Sequence, residues 1–144
     1  MDHVAIMRKS WGLTEKILSG EKKIESRWYK NKSKPWDFIK TGDRVYFKDS
    51  GCPVSIKAEV RRVVQFRDLT PPRSESILDT YGKATGISEA DTPKYCRLFK
   101  DKKYCILIFL KDPKKVKPFD INKKGFGAMA AWISVSDISL IRRR

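Results

Sequence analysis

From Val54 to Val60 apolar and polar residues alternate without a break: Val54, Ile56, Ala58 and Val60 against Ser55, Lys57 and Glu59. A side-chain period of two puts the four apolar residues on one face, so this segment is a half-buried strand of an antiparallel sheet. The phase shifts near Val63 and Val64, which predicts a bulge or bend of the kind that curves sheets toward barrels. Other strand segments surround this one. His3–Arg8 carries apolar Val4–Met7, and Lys23–Trp28 follows the first helical stretch. Arg44–Phe47 stands between the turns Thr41-Gly42-Asp43 and Asp49-Ser50-Gly51. Lys103–Leu110, apolar from Tyr104 onward, reads as a central strand, and Lys114–Ile121 as an edge strand because Pro118 cannot donate to a ladder. Ala131–Val135 is the last strand.

Helical spacing is confined to three places. Leu13, Ile17 and Leu18 make one apolar face, with Gly20 where a helix stops. After Thr70-Pro71-Pro72, Ser74–Tyr81 reads as a short helix. Ser88–Phe99 reads as another, which Pro93 limits near its first turn. Lys30–Lys34 is a basic loop closed by Pro35, Asn122–Ala131 a glycine- and alanine-rich loop, and Asp137–Ile141 a short terminal element before the basic tail Arg142–Arg144. There are no repeats and no linker, so residues 1–144 read as one domain. The predicted class is α+β: a small mixed β-barrel with an early helix and a helical insertion.

Several functional classes are disfavoured by composition. His3 is the single histidine, and the thiols Cys52, Cys96 and Cys105 are widely spaced without a CxxC pair, which leaves poor material for zinc or for His-based catalysis. No metal or other cofactor is expected. The longest apolar run, Tyr104–Leu110, is far short of the roughly 20 residues of a membrane helix. The start of the chain lacks a secretory pattern, so the expected setting is the cytoplasm. Charge points the other way, toward a partner. Thirty-two Lys and Arg face 17 Asp and Glu, a net charge of +15 that suits a polyanion such as nucleic acid.

Gly20-Glu21-Lys22-Lys23-Ile24-Glu25-Ser26-Arg27 has the form G-x-K-x-x-E-x-R, and it follows a strand and an amphipathic helix. A Thr-Gly-Asp turn and a barrel strand come next, and Gly125–Val135 (GFGAMAAWISV) ends the pattern. In this motif and order of elements the whole chain resembles the ASCH domains of the PUA-like superfamily. The resemblance implies a PUA-like barrel that binds RNA, a modified or flipped base lying in a cleft at Gly20, Lys22, Glu25 and Arg27. It also implies an alternative, since small ASCH enzymes include an amidohydrolase acting on acetylated cytidine and ribonucleases. Lys22 and Glu25 would then be catalytic, although Glu25 stands where the amidohydrolases have threonine. Their downstream glutamate falls near Lys83. A role in protein interaction, as in coactivator assemblies, is a third implication.

The residues themselves set conditions on the cleft. On a strand Glu25 and Arg27 share a face, whereas Lys22 has the opposite parity and reaches Glu25 only if the chain bends just after Gly20. Trp11 and Tyr29 are expected to be accessible stacking faces, while Trp28 and Trp132 suit either platform or core. Lys30, Lys32 and Lys34 on one side and Lys123 and Lys124 on the other are the expected contacts to a nucleic-acid backbone. Arg61, Arg62, Lys111, Lys114, Lys115 and Lys117 form further basic runs. The expected partner is RNA, another nucleic acid or a nucleotide-derived ligand; sequence leaves the oligomeric state open.

Overall fold

The structure is a computed structural model that describes residues 1–143; Arg144, the last residue of the basic tail, lies outside the described residues. Six strands form one mixed sheet: β1 (Asp2–Met7), β2 (Ile24–Tyr29), β3 (Arg44–Asp49), β4 (Val54–Phe66), β5 (Tyr104–Phe119) and β6 (Trp132–Val135). Their spatial order is β2-β5-β4-β3-β1-β6. Only β1 and β3 pair in parallel, because α1 (Leu13–Ser19) and β2 intervene and turn the chain back. The sheet curls into a half-barrel around Ala5, Met7, Val45, Phe47, Ile56, Ala58, Val60, Ile106 and Ile108.

Curvature comes from bulges. The strand expected over residues 54–66 is present, but its irregularity lies earlier than Val63-Val64: Val60 pairs with Leu110 and Arg62 with Phe109, leaving Arg61 as the extra residue. That extra residue flips the phase. Ile56, Ala58 and Val60 enter the barrel before it, and Val63 after it, while Val64 and Phe66 turn to the opposite face. The two segments expected over 103–110 and 114–121 are one strand of 16 residues. Register slips at Asp112-Pro113, where Asp112 takes φ 52°, and again before Pro118, so both prolines sit at irregularities of a continuous ladder. The far half of β5 pairs with β4 alone, which is where Pro118 is tolerated.

The helical insertion, α2 (Pro71–Tyr81) and α3 (Thr92–Phe99), covers the outer face of β2 and β5 through Ile24, Trp28, Leu69, Ile77, Leu78, Leu107 and Phe109. The C-terminal segment covers the outer face of β1 and β3 through Ile121, Ile133 and Ile141. Single 3-10 turns at Lys9–Trp11, Lys83–Thr85, Glu89–Asp91 and Ile138–Leu140 lie between the regular elements. The resulting fold is of the small α+β PUA-like kind that the sequence predicts, with the expected mixed barrel present as an open half-barrel. Its hydrogen-bond ladder stays open between β2 and β6, the two ends of the strand order.

Candidate functional site

The motif lies where the half-barrel fails to close. Gly20 ends α1 with φ 83°, a conformation that costs a residue with a Cβ more than it costs glycine. The chain then folds back, with Lys22 N donating to Lys16 O at 2.9 Å and Lys23 N to Ala84 O at 2.8 Å, before β2 begins at Ile24. The bend required after Gly20 is therefore present. Lys22 escapes the parity of the strand and reaches Glu25.

Lys22 Nζ donates to Ile24 O and Thr85 O, each at 2.7 Å, and lies 3.3 Å from Glu25 Oε1. Arg27 Nη2 donates to the other carboxylate oxygen, Oε2, at 3.2 Å. Lys22 and Glu25 are 2% and 3% exposed, so this is a buried ion pair in which Glu25 is shared between two cations. Burial pulls the Lys22 ammonium below its ordinary value, and the Glu25 charge opposes this only in part. Burial pushes the Glu25 carboxyl up, but Lys22 and Arg27 together outweigh it and hold the group below the usual carboxylate range. Three acceptors around Nζ require three N–H bonds, which is the protonated amine. Arg27 alone keeps donor capacity toward solvent. It reaches across the gap to Ala131 O at 3.3 Å and Met7 Sδ at 3.5 Å, and its guanidinium lies 5.2 Å from the Trp132 ring centre.

A cleft of about 370 Å³ opens over these residues. Its floor is the stretch from Lys22 to Tyr29; one wall is Arg8, Trp11 and Leu13, and the other is Ile87, Tyr95, Leu98, Phe99 and Lys102 from the helical insertion. The structure thus brings Lys22, Glu25, Arg27, Trp11 and Tyr29 together, with Gly20 at the bend that places them. Trp11 and Tyr29 are half-buried, Trp11 packing edge-on against Tyr95 at 5.8 Å. Trp28 and Trp132 resolve as core: both are buried, and Trp28 stacks on Phe99 at 4.5 Å. None of Lys30, Lys32, Lys34, Lys123 and Lys124 lines the cleft. Its cations besides Lys22 and Arg27 are Arg8 and Lys102, which sequence reasoning missed along with the wall from α3. The clue to α3 was its apolar face of Tyr95, Leu98 and Phe99, but nothing in the sequence says which strand that face covers.

His3 is part of a second buried polar cluster. Its ring is fully buried, with Nε2 2.8 Å from Asp43 Oδ2 and Nδ1 2.8 Å from Ser134 Oγ, and Trp132 Nε1 points at Nδ1 from 3.3 Å. Burial, the largest influence, pulls its pKa below the ordinary 6.5 despite Asp43. The cluster ties β1 and β6 to the turn that leads into β3. Among the described residues no group of His, Cys, Asp and Glu is placed to hold a metal ion.

The half-barrel, open at the seam over which the cleft lies, has a PUA-like fold. More narrowly, the fold is that of the ASCH domains. The structure of an ASCH protein from Zymomonas mobilis superposes with a TM-score of 0.68 over 97% of this chain and 95% of that one, at 17% identity. The N-terminal domain of McrB from Staphylothermus marinus is more distant, with a TM-score of 0.50, 15% identity and coverage of 83% of this chain and 76% of that one. No protein-family model and no curated protein matches the sequence. Among the described residues no helix is long and apolar enough to cross a membrane, and the three cysteines are free thiols.

Proposed function

We propose that this chain is a cytoplasmic RNA-binding domain that holds one base or modified nucleotide in the cleft over the G-x-K-x-x-E-x-R motif. The observation that carries this reading is the chemistry of the lining: aromatic and apolar walls beside Arg8, Lys22, Arg27 and Lys102, with Glu25 as the one carboxylate. A base stacks on aromatic faces, and Arg8, Arg27 and Lys102 meet phosphate, while Lys22, buried among its acceptors, holds Glu25 in place. The volume lies near the lower end of the range of about 300–1,000 Å³ typical of small-ligand sites, as suits one nucleotide better than a folded RNA element. Glu25 is already neutralised by two cations, so it does not repel a polyanion. Saturation of Lys22 by three acceptors weighs against its use as a base, and so against an amidohydrolase or ribonuclease built on Lys22 and Glu25.

Fluorescence anisotropy with short single-stranded RNAs tests the reading. Trp11→Ala removes a stacking face worth about 1–3 kcal/mol, so affinity should fall roughly 5- to 150-fold. Arg27→Ala should weaken binding too, and wild-type affinity should fall with salt at a log–log slope of about −0.7 per phosphate contact. Binding that ignores both Trp11→Ala and ionic strength would sink the proposal.

A further inference from the structure

Beyond the end of β2 the β4–β5 pair, with β3 on the other side of β4 and β5 left as the edge, forms a ribbon whose outer face is cationic. Ile56, Ala58 and Val60 point into the barrel, so Lys57 and Glu59 point out, and their partners across the ladder are Lys114 and Lys111. Lys57 and Lys114 are thus directly opposed like charges, an arrangement that costs stability. Lys111 lies 3.7 Å from Glu59, with both side chains about half exposed (48% and 47%). At the barrel end of the ribbon the bulged Arg61 and its neighbour Arg62 lie over the Phe109 ring, at 5.6 and 4.8 Å. Lys117 is exposed near the other end.

Protection of a free strand edge does not account for this pattern. Lysine on an edge discourages pairing with another chain, and β5 is such an edge beyond Phe109. Lys57, however, lies on β4, which is paired on both sides by β3 and β5. A cation there blunts no edge and repels Lys114. The ribbon also starts beside the motif, since Leu110 N donates to Lys23 O at 2.9 Å, one residue from Lys22. At about 3.3 Å per residue, Leu110–Lys117 extends up to roughly 23 Å away from that point, less what the bulges shorten.

We infer that the β4–β5 ribbon, through Lys57, Arg61, Arg62, Lys111, Lys114 and Lys117, is a second contact surface that grips the phosphodiester backbone of a nucleic-acid strand. The ribbon itself stands apart from the cleft; that both serve one strand rests on the function proposed above. The natural ligand is then a polynucleotide, and a free nucleoside would engage only the cleft.

The test uses two probes, an RNA trinucleotide and a single-stranded RNA of about twenty nucleotides, with DNA of the same sequence as a parallel arm. In the triple variant Lys57→Ala/Lys114→Ala/Lys117→Ala the long probe should lose affinity by tenfold or more. Its salt slope should become shallower by about 2, the loss of three contacts at roughly 0.7 each, while trinucleotide affinity stays as in wild type. A control removing the same charge elsewhere, Lys40→Ala/Lys94→Ala/Lys100→Ala, should change neither. Equal loss in the two triple variants would reduce the ribbon to its share of net charge and overturn the inference. So would ribbon-dependent retention on anionic phosphatidylserine vesicles with unchanged RNA affinity. Arg27→Ala separates the two readings: if it leaves trinucleotide binding intact the cleft proposal fails, and a long probe that still depends on the ribbon keeps the inference standing.

Discussion

Lys22 donates to two backbone carbonyls and a carboxylate from a position that is 2% exposed, so its removal orphans three acceptors at once. Breaking such a buried pair typically costs about 3–5 kcal/mol. Lys22→Ala should therefore lower thermal stability sharply, as a melting curve would show; a variant that melts like wild type contradicts the saturated geometry. This makes Arg27 and Trp11 the better probes of binding. A second residue-scale effect concerns His3. In the neutral ring Nε2–H donates to Asp43 while Nδ1 accepts; protonation sets an N–H against the Trp132 N–H 3.3 Å away. Because the folded pKa is lowered, the unfolded chain binds the proton more readily, and stability falls as pH drops below 6.5 and on through the folded pKa. His3→Gln should flatten that part of the denaturant-midpoint profile. Glu25 has its pKa lowered as well, so its contribution is present above the ordinary carboxylate value and is lost further down, in the acid range.

At the scale of elements, legibility followed the range of the forces involved. The alternation over residues 54–60 and the Gly20 stop are local, and both are in the structure where the sequence places them. A Cβ at Gly20 would meet nothing within 4 Å, so Gly20→Ala isolates backbone strain, about 1–2 kcal/mol in the left-handed region. The expected result is a modest drop in melting temperature, smaller for Gly20→Asn. What the sequence hid was non-local. Pro113 and Pro118 look like strand breakers, yet β5 runs through both because bulges absorb them. The displaced bulge at Arg61 has the same origin, since a two-against-one pairing is defined by the partner strand. The cleft was half legible: Lys22, Glu25, Arg27 and Tyr29 share one short segment with Trp11 nearby. Arg8 and Lys102 join them only because the barrel seam and the helical insertion meet there.

At the scale of the whole molecule, a net charge of +15 acts on stability and on binding with opposite signs. Self-repulsion among surface lysines opposes the compact state, and added salt screens it, the Debye length falling from about 30 Å at 0.01 M to about 8 Å at 0.15 M. The buried Lys22–Glu25–Arg27 group is screened far less, so salt relieves surface repulsion without dissolving the site. Melting temperature should accordingly rise between low and physiological ionic strength. A gain of about 1 kcal/mol would raise it by roughly 2–8 °C for a chain of this size. RNA affinity over the same range should fall, because the counterions released on binding gain less entropy when they enter a more concentrated salt solution. One salt series read by calorimetry and by anisotropy checks both, and the two trends must diverge. If stability falls with salt while affinity falls too, attractive surface ion pairs dominate the charge pattern. The excess of cations would then not be the strained, ligand-seeking surface described above.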